Sequence, residues 1–407
     1  MASDKGQSSD THAPRFARTE LNTVVQRALD SGTAQVDDWA VCPLTYDYTS
    51  PITAGIFRVA GTAHDAEQRV SWSLVLKMVR SAAGVTMPNG EVVPRDLPDG
   101  PAFFGYWKRE PMVYAAGLTD DLPGGMIAPR CYGLSSQPDG TDWLWLEELA
   151  AAPQARWTRE RCGLAARTLG RFNGAYLTGR PLPDQPWLDR GWLHSWLGIR
   201  CTGMVDEIRQ ADTWDHPLMR AAVSQPFIDR VLCLWVDQDL FLDGLDRLPL
   251  TFCHRDAFRS NVLACWEGDR QEQLTAIDWA YAGVGPVGEE IAPLIVAAPA
   301  SDGAELAPWN VESTVFDSYV LGLSEAGWRG EAASVRFGFA ASAALRYLFM
   351  SVAEMLSNVG DEAHCASIEK RRAQPIAQVM EQQAALVYFL LDLADEARAL
   401  LPKVTAI

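Results

Sequence analysis

The chain has 407 residues, 48% of them hydrophobic and 21% charged, and its 35 Lys and Arg against 52 Asp and Glu give a net charge of −17. That length can bury a sizeable core in two or three domain-sized units, and the composition is that of an ordinary globular protein. The acidic balance argues against a nucleic-acid partner, because phosphate contact needs a basic face; it suits a solvated acidic surface, and it could also steer a cationic small ligand.

Met1 to His12 is polar and carries no apolar core, so residues 1–18 are expected to form a disordered tail and not a secretory signal. Apolar spacing at Leu21, Val24, Val25, Ala28 and Leu29 predicts a helix from Thr19 to Ser31, ending near Gly32. Ile52–Ala60 and Val70–Val79 read as strands separated by a break at Gly61–Asp65. Phe103–Leu118 reads as a helix that Pro111 should interrupt. Two short strands, Pro129–Leu134 and Trp143–Leu149, then flank a Gln137-Pro138-Asp139-Gly140 turn.

From Thr158 onward helical spacing dominates, with Leu164, Thr168, Leu169, Phe172 and Tyr176 on one face and a stop at Gly179-Arg180-Pro181. Further helices are expected at Leu193–Gln210, Pro226–Asp237, Val311–Ala326, Glu331–Leu356 and Pro375–Leu400. Phe337–Leu356 is the most apolar stretch, but Arg346 and Glu354 interrupt it, which favours a core helix over a membrane span. The fold class is therefore α+β, with two lobes. A small β-rich lobe with its preceding helix (19–147) is followed by a large, mostly helical lobe (148–407), joined near Glu147–Ala151.

Eight cysteines show no C-x-x-C pair and six histidines no H-E-x-x-H arrangement, so neither a disulfide framework nor a zinc site is expected. Cysteines placed in apolar runs point to free thiols in a reducing compartment, the cytoplasm.

The chemistry is concentrated in Leu250–Asn261, which reads L-T-F-C-H-R-D-A-F-R-S-N, and in Ile277-Asp278-Trp279. Phosphoryl transfer needs one carboxylate to receive or orient the acceptor hydroxyl, and an amide oxygen with a second carboxylate to hold the Mg²⁺ that neutralises phosphate oxygens. His254-Arg255-Asp256-x-x-x-x-Asn261 places the catalytic carboxylate, Asp256, and the amide, Asn261, on one loop; Asp278 supplies the second metal ligand. The apolar run before the loop, Val262–Trp266 after it and a polar turn at Glu267–Glu272 give the order strand, loop, hairpin, metal-binding Asp.

A nucleotide site also needs a cation for the phosphates and a carboxylate to hold that cation. Lys77 interrupts the apolar Val75–Val79 and would be costly to bury without an anion; Glu110 is the partner expected on the following helix. Ser50–Val59 has a strand-turn-strand look in which Ser50, Thr53 and Gly55 could offer backbone N–H groups to phosphate. Glu148 and Leu149, where the lobes join, could present backbone groups to the purine edge. Trp192 and Trp196 are expected either to line an acceptor pocket or to pack as core.

With these residues in place, about Val41 to Leu294 resembles the aminoglycoside phosphotransferase family, which has a protein-kinase-like fold. H-R-D-A-F-R-S-N, I-D-W and the following Gly285-Pro286-Val287-Gly288-Glu289-Glu290-Ile291-Ala292 carry the resemblance, with Glu290 where the family usually has Asp. The resemblance implies transfer of the γ-phosphate of ATP, with GTP as the alternative donor, to a hydroxyl of a small molecule such as an antibiotic, sugar or amino alcohol. It implies Asp256 as base, Asn261 and Asp278 as Mg²⁺ ligands, and Lys77 on phosphate, held by Glu110. Arg255 and Phe258 depart from the family's usual residues. The short stretch from Trp279 to Ile291 has no Ser or Thr, which speaks against a phosphorylated activation segment and a peptide substrate. Two other expectations stay open, a catalytically silent nucleotide-binding protein and a nucleotidyltransferase on the same fold. No nucleic-acid or membrane partner is expected, and oligomeric state is open.

Overall fold

A computed structural model describes residues 14–44, 50–87, 90–149, 156–210, 212–265, 273–296 and 303–405. The first elements are a helix, α1 (Arg18–Ala28), and three strands, β1 (Gln35–Pro43), β2 (Thr53–Asp65) and β3 (Gln68–Val79). A short helix, α2 (Arg109–Ala115), precedes β4 (Met126–Ile127), β5 (Cys131–Ser136) and β6 (Asp142–Glu147). Five of these strands form one antiparallel sheet in the order β1-β2-β3-β6-β5. Period-two alternation divides the sheet's side chains between two cores. Trp72, Leu74 and Leu76 of β3, with Trp143 and Trp145 of β6, pack with Leu21, Val24 and Val25 of α1. Val79, Leu144 and Leu146 face the other way and join the larger core. Lys77 pairs in register with Leu144 and shares that second face, which turns it toward α2.

The remaining chain contributes helices α3 (Arg159–Leu177), α4 (Trp192–Trp196), α5 (Thr202–Gln210), α6 (Pro217–Ala222) and α7 (Gln225–Asp246). Strands β7 (Leu250–Cys253), β8 (Val262–Cys265), β9 (Gln273–Ala276) and β10 (Gly283–Pro286) come next. Helices α8 (Ala292–Val296), α9 (Pro308–Glu325), α10 (Ala332–Ser357), α11 (Glu362–Arg372) and α12 (Ile376–Thr405) complete it. Strand β4 runs parallel to β9 and so ties the first part of the chain to the second. Among the described residues, α10 is the one helix long and apolar enough to cross a membrane, but 72% of its apolar window is buried against its neighbours. It is a core helix.

Several boundaries differ from expectation, each for a local reason. The disordered tail was expected through residue 18, but Phe16 packs edge-on against Trp145 at 5.2 Å and α1 begins at Arg18. Gly61–Asp65 do not break the sheet: β2 and β3 stay in register from Gly61↔Trp72 to Asp65↔Gln68, and the chain turns at Ala66, where φ is 55°. Between Phe103 and Leu118 only Arg109–Ala115 is helical. The carbonyls of Pro101, Phe103 and Phe104 accept from the Arg109 guanidinium instead of from helical N–H groups. Pro111 stands in the first turn of α2, where a missing N–H costs nothing. Gly285 and Pro286, within the run that carries the family resemblance, lie in β10, paired antiparallel with β7. The polar turn at 267–272 and residues 150–151 of the lobe junction fall outside the described residues.

Candidate active site

Strand β7 ends at Cys253, and the chain enters a tight loop whose conformation is fixed from several sides. The N–H groups of His254 and Arg255 donate to the two oxygens of Glu290, at 2.7 and 3.0 Å. Arg255 adopts φ 63°, a left-handed conformation that costs a bulky residue on the order of 1–3 kcal/mol. Its guanidinium donates to the Val284 carbonyl at 2.6 Å and to Glu289 at 3.3 Å, which hold it there. Glycines at 283 and 285 make room for this fork: a Cβ at Gly283 would stand 2.3 Å from Arg255 Nη1, and one at Gly285 would stand 2.0 Å from Glu289 Oε2.

His254 is wholly buried, and burial pushes its imidazole down to about 4, so the ring is neutral. Nδ1 accepts from the Asp256 N–H at 3.2 Å, which leaves Nε2–H to donate to the Ile277 carbonyl at 3.0 Å. The ring thus links the Asp256 loop to the residue before Asp278. A backbone bond from Ile277 N to Asn261 O at 2.9 Å makes a second link.

Asp256 is buried, with each carboxylate oxygen held by a different element. Oδ1 accepts from Arg346 Nη2 at 3.2 Å, and Oδ2 from the Asn261 amide at 2.8 Å. Burial raises the carboxyl to about 7 against the opposing pull of Arg346. Arg346 was read from the sequence only as an interruption of an apolar run. The signal was present, since a lone arginine inside a long apolar helix requires an anion, but no spacing rule names that anion.

Lys77 reaches Glu110 at 2.6 Å and Asp278 at 3.0 Å. Burial alone would lower this ammonium, but Asp278 and Glu110 outweigh it and hold the lysine above its ordinary value. Glu110 is buried and raised by desolvation, against Lys77. In Asp278 burial is outweighed by Lys77, which leaves the carboxyl below the usual range. Asp278 also takes a left-handed backbone, φ 65°, at the end of β9. Its side chain is 38% exposed where that of Lys77 is 9% exposed, so it is the open edge of the cluster.

Three carboxylates, Asp256, Glu110 and Asp278, therefore face two cations, Lys77 and Arg346. The excess is negative. The Asn261 amide nitrogen is spent on Asp256, whereas Oδ1 accepts a long bond from Ser260 Oγ at 3.4 Å. One half-exposed carboxylate and one amide oxygen, both hard donors beside surplus negative charge, suit a divalent cation such as Mg²⁺.

The other expected residues are placed less directly. Ser50 accepts Thr53 N at 3.2 Å across a short turn. Thr53 and Gly55 lie in β2 at a bulge opposite Val79 and Met78, so no turn divides 53–59 as the strand-turn-strand reading had it. Gly55 is thereby next to Ile56, the register partner of Lys77. The Glu148 side chain is committed to Arg58 at 2.7 Å and to Ser73, and Leu149 follows it, half-buried. Trp192 and Trp196 are buried and stacked at 5.1 Å, so they are core and do not line an open pocket.

A second group of buried charges lies behind the loop, and sequence reading missed it. Arg109, next to Glu110 on α2, donates to the carbonyl of Ala280 at 3.1 Å and approaches Asp189 at 3.5 Å. Asp189 also lies 4.0 Å from Arg255, which pairs with Glu289. The arginine of the H-R-D triplet is thus satisfied internally.

A sequence profile described as "Phosphotransferase enzyme family" (APH) matches residues 115–319. No curated protein matches the chain. Among solved structures, the chain is similar to an aminoglycoside-3′-phosphotransferase of type VIII at 18% identity, over 72% of this chain and 87% of that one, with a TM-score of 0.38. A spectinomycin phosphotransferase in complex with ADP and spectinomycin matches at 14% identity over 91% and 100% of the two chains, with a TM-score of 0.42. A choline kinase from Cryptosporidium parvum Iowa II matches at 13% identity over 94% and 95%, with a TM-score of 0.46.

Proposed function

The chain belongs to the phosphotransferase enzyme family, and from that premise we propose that it transfers the γ-phosphoryl group of ATP to a hydroxyl of a small molecule, with Mg²⁺ as the metal. The observation that carries this reading is the grip on Lys77: one ammonium held between Glu110 and Asp278, with Asp256 bonded to Asn261 beside it.

In this reading Asp256 accepts the hydrogen bond, and then the proton, of the acceptor hydroxyl. Asn261 orients its Oδ2 and keeps an amide oxygen free for metal. Lys77 meets phosphate oxygens, and Glu110 fixes where its ammonium stands. Bound Mg²⁺, held by Asn261 Oδ1 and Asp278, would supply charge neutralisation for the phosphate oxygens. Ser50 and Gly55 provide backbone N–H groups near the phosphates, Thr53 shapes their turn by donating its N–H to the Ser50 carbonyl, and the backbone of Glu148 and Leu149 meets the purine. The first lobe, 19–147, then carries the nucleotide, and the second, 148–407, the acceptor. Seven cysteines among the described residues are free thiols, which suits a reducing compartment such as the cytoplasm.

The test is phosphate transfer to a panel of hydroxylated metabolites and antibiotics, with ATP and GTP each supplied with and without Mg²⁺, and product mass as readout. Asp256→Ala should lower turnover by roughly 10²–10⁴-fold while nucleotide still raises the melting temperature. Near-wild-type turnover in that variant would remove Asp256 from its role. A product heavier by a nucleotidyl group would make the protein a nucleotidyltransferase.

A further inference from the structure

Helix α10 brings one guanidinium into the site from the far end of the chain. Arg346 is buried in the middle of this apolar helix, and donates to the Arg255 carbonyl and to Asp256 Oδ1. Aromatic rings surround its Cζ: Trp192 at 4.5 Å, Tyr347 at 5.1 Å, Phe258 at 5.6 Å and Tyr281 at 6.0 Å. Trp192 is itself stacked on Trp196, whose indole N–H donates to the Arg346 carbonyl at 3.1 Å. The cation is therefore fixed by faces of π density as well as by hydrogen bonds. Arg346 and the Asn261 amide hold the two oxygens of the Asp256 carboxylate, one each.

We propose that Arg346 is a positioning residue for phosphoryl transfer: it binds Asp256 Oδ1 and the loop carbonyl before it, and so holds Oδ2 where the acceptor hydroxyl must arrive. This rests on the function proposed above. A carboxylate held at one oxygen can rotate about its Cβ–Cγ bond, and one held at both cannot. Arg346 also spans two points, Arg255 O through Nη1 and Asp256 Oδ1 through Nη2, and two nitrogens of one rigid plane fix the orientation of the pair more closely than the single nitrogen of an ammonium can. Misplacement of a reacting group by about 1 Å costs on the order of 10²-fold in rate.

Arg346→Ala opens a space lined by four rings that a free guanidinium ion can refill. Turnover should fall roughly 10²-fold, with KM for the nucleotide within about threefold of wild type. Guanidinium chloride, far below concentrations that unfold proteins, should restore at least about tenfold, and urea, its neutral isostere, should not. Guanidinium should also raise the melting temperature of this variant, and less so once Asp256→Asn is added. That last readout needs no turnover, so it decides the pairing even if the wild-type protein phosphorylates nothing. A folded variant with turnover near wild type, or equal rescue by urea, overturns the proposal. Should Arg346→Ala not fold, Arg346→Lys carries the test: it keeps the charge but not the fork, and should lose about tenfold in kcat. An unchanged kcat there overturns the proposal equally.

Discussion

Two groups of buried charges sit back to back in this protein, and they differ in what they leave unfinished. The front group, Lys77, Glu110, Asp278, Asp256 and Arg346, has one carboxylate too many and an open edge at Asp278. The rear group, Arg109, Asp189, Arg255 and Glu289, balances two arginines with two carboxylates and is closed on every side. Residue types are nearly the same. A surplus of one sign at an exposed edge invites a ligand; a neutral, sealed set holds the loop and α2 together. The rear group also explains how α2 presents Glu110 to Lys77, because its neighbour Arg109 is anchored to Asp189 and Ala280.

Substitutions can break this division of labour. The largest effect is expected for Asp278→Asn at the open edge, where turnover should fall at least about 10²-fold. Mg²⁺-dependent nucleotide stabilisation, read as a shift in melting temperature, should vanish with it. Its own folding stability should change by less than about 1 kcal/mol, as for other partly exposed ion pairs. Asp189→Asn should show the reverse. It leaves the buried Arg109 guanidinium without its carboxylate partner and should cost roughly 3–5 kcal/mol in urea unfolding, with turnover per folded molecule within a few-fold of wild type. Unchanged stability with abolished turnover would move Asp189 into the reactive group.

The smallest effect concerns pH. Burial pushes the Glu290 carboxyl up to about 7 from an ordinary 4.5. Between those values the folded chain keeps a proton that the unfolded chain has released, so the folded form binds more protons there. The stabilising contribution is full below about 4.5 and is lost as pH rises to 7. Wild type should therefore exceed Glu290→Gln in stability by more at pH 5 than at pH 7, as read from urea midpoints. A difference independent of pH would mean that the carboxyl is ionised throughout the folded chain.

The front group was legible in the sequence to the extent that it is local. Asp256 and Asn261 share a loop, Asp278 follows one hairpin later, and Lys77 declared itself by interrupting a strand. Glu110 needed only the next helix. Arg346, Asp189 and Arg109 were not legible, because each acts through a partner that chain folding, not spacing, brings near: Arg346 lies 90 positions from Asp256. In the fold, long helices were visible from their apolar period, although α7 runs nine residues beyond the expected end at Asp237. The helices α6 and α11 were missed, being short or largely exposed. Strand limits failed where backbone pairing overrode residue preference, as at Gly61, which continues the ladder despite reading as a break.

The stretch after Asp278 carries one more consequence. It is stitched to β7 over four residue pairs, from Gly283↔Cys253 to Pro286↔Leu250, and Val284 donates to Asp189 O while receiving Arg255. A segment sewn down this way is held by backbone pairing on one side and by the buried Arg255 on the other. Loop and segment therefore form one unit, in which a change anywhere along β10 is passed through Arg255 to the loop that carries Asp256.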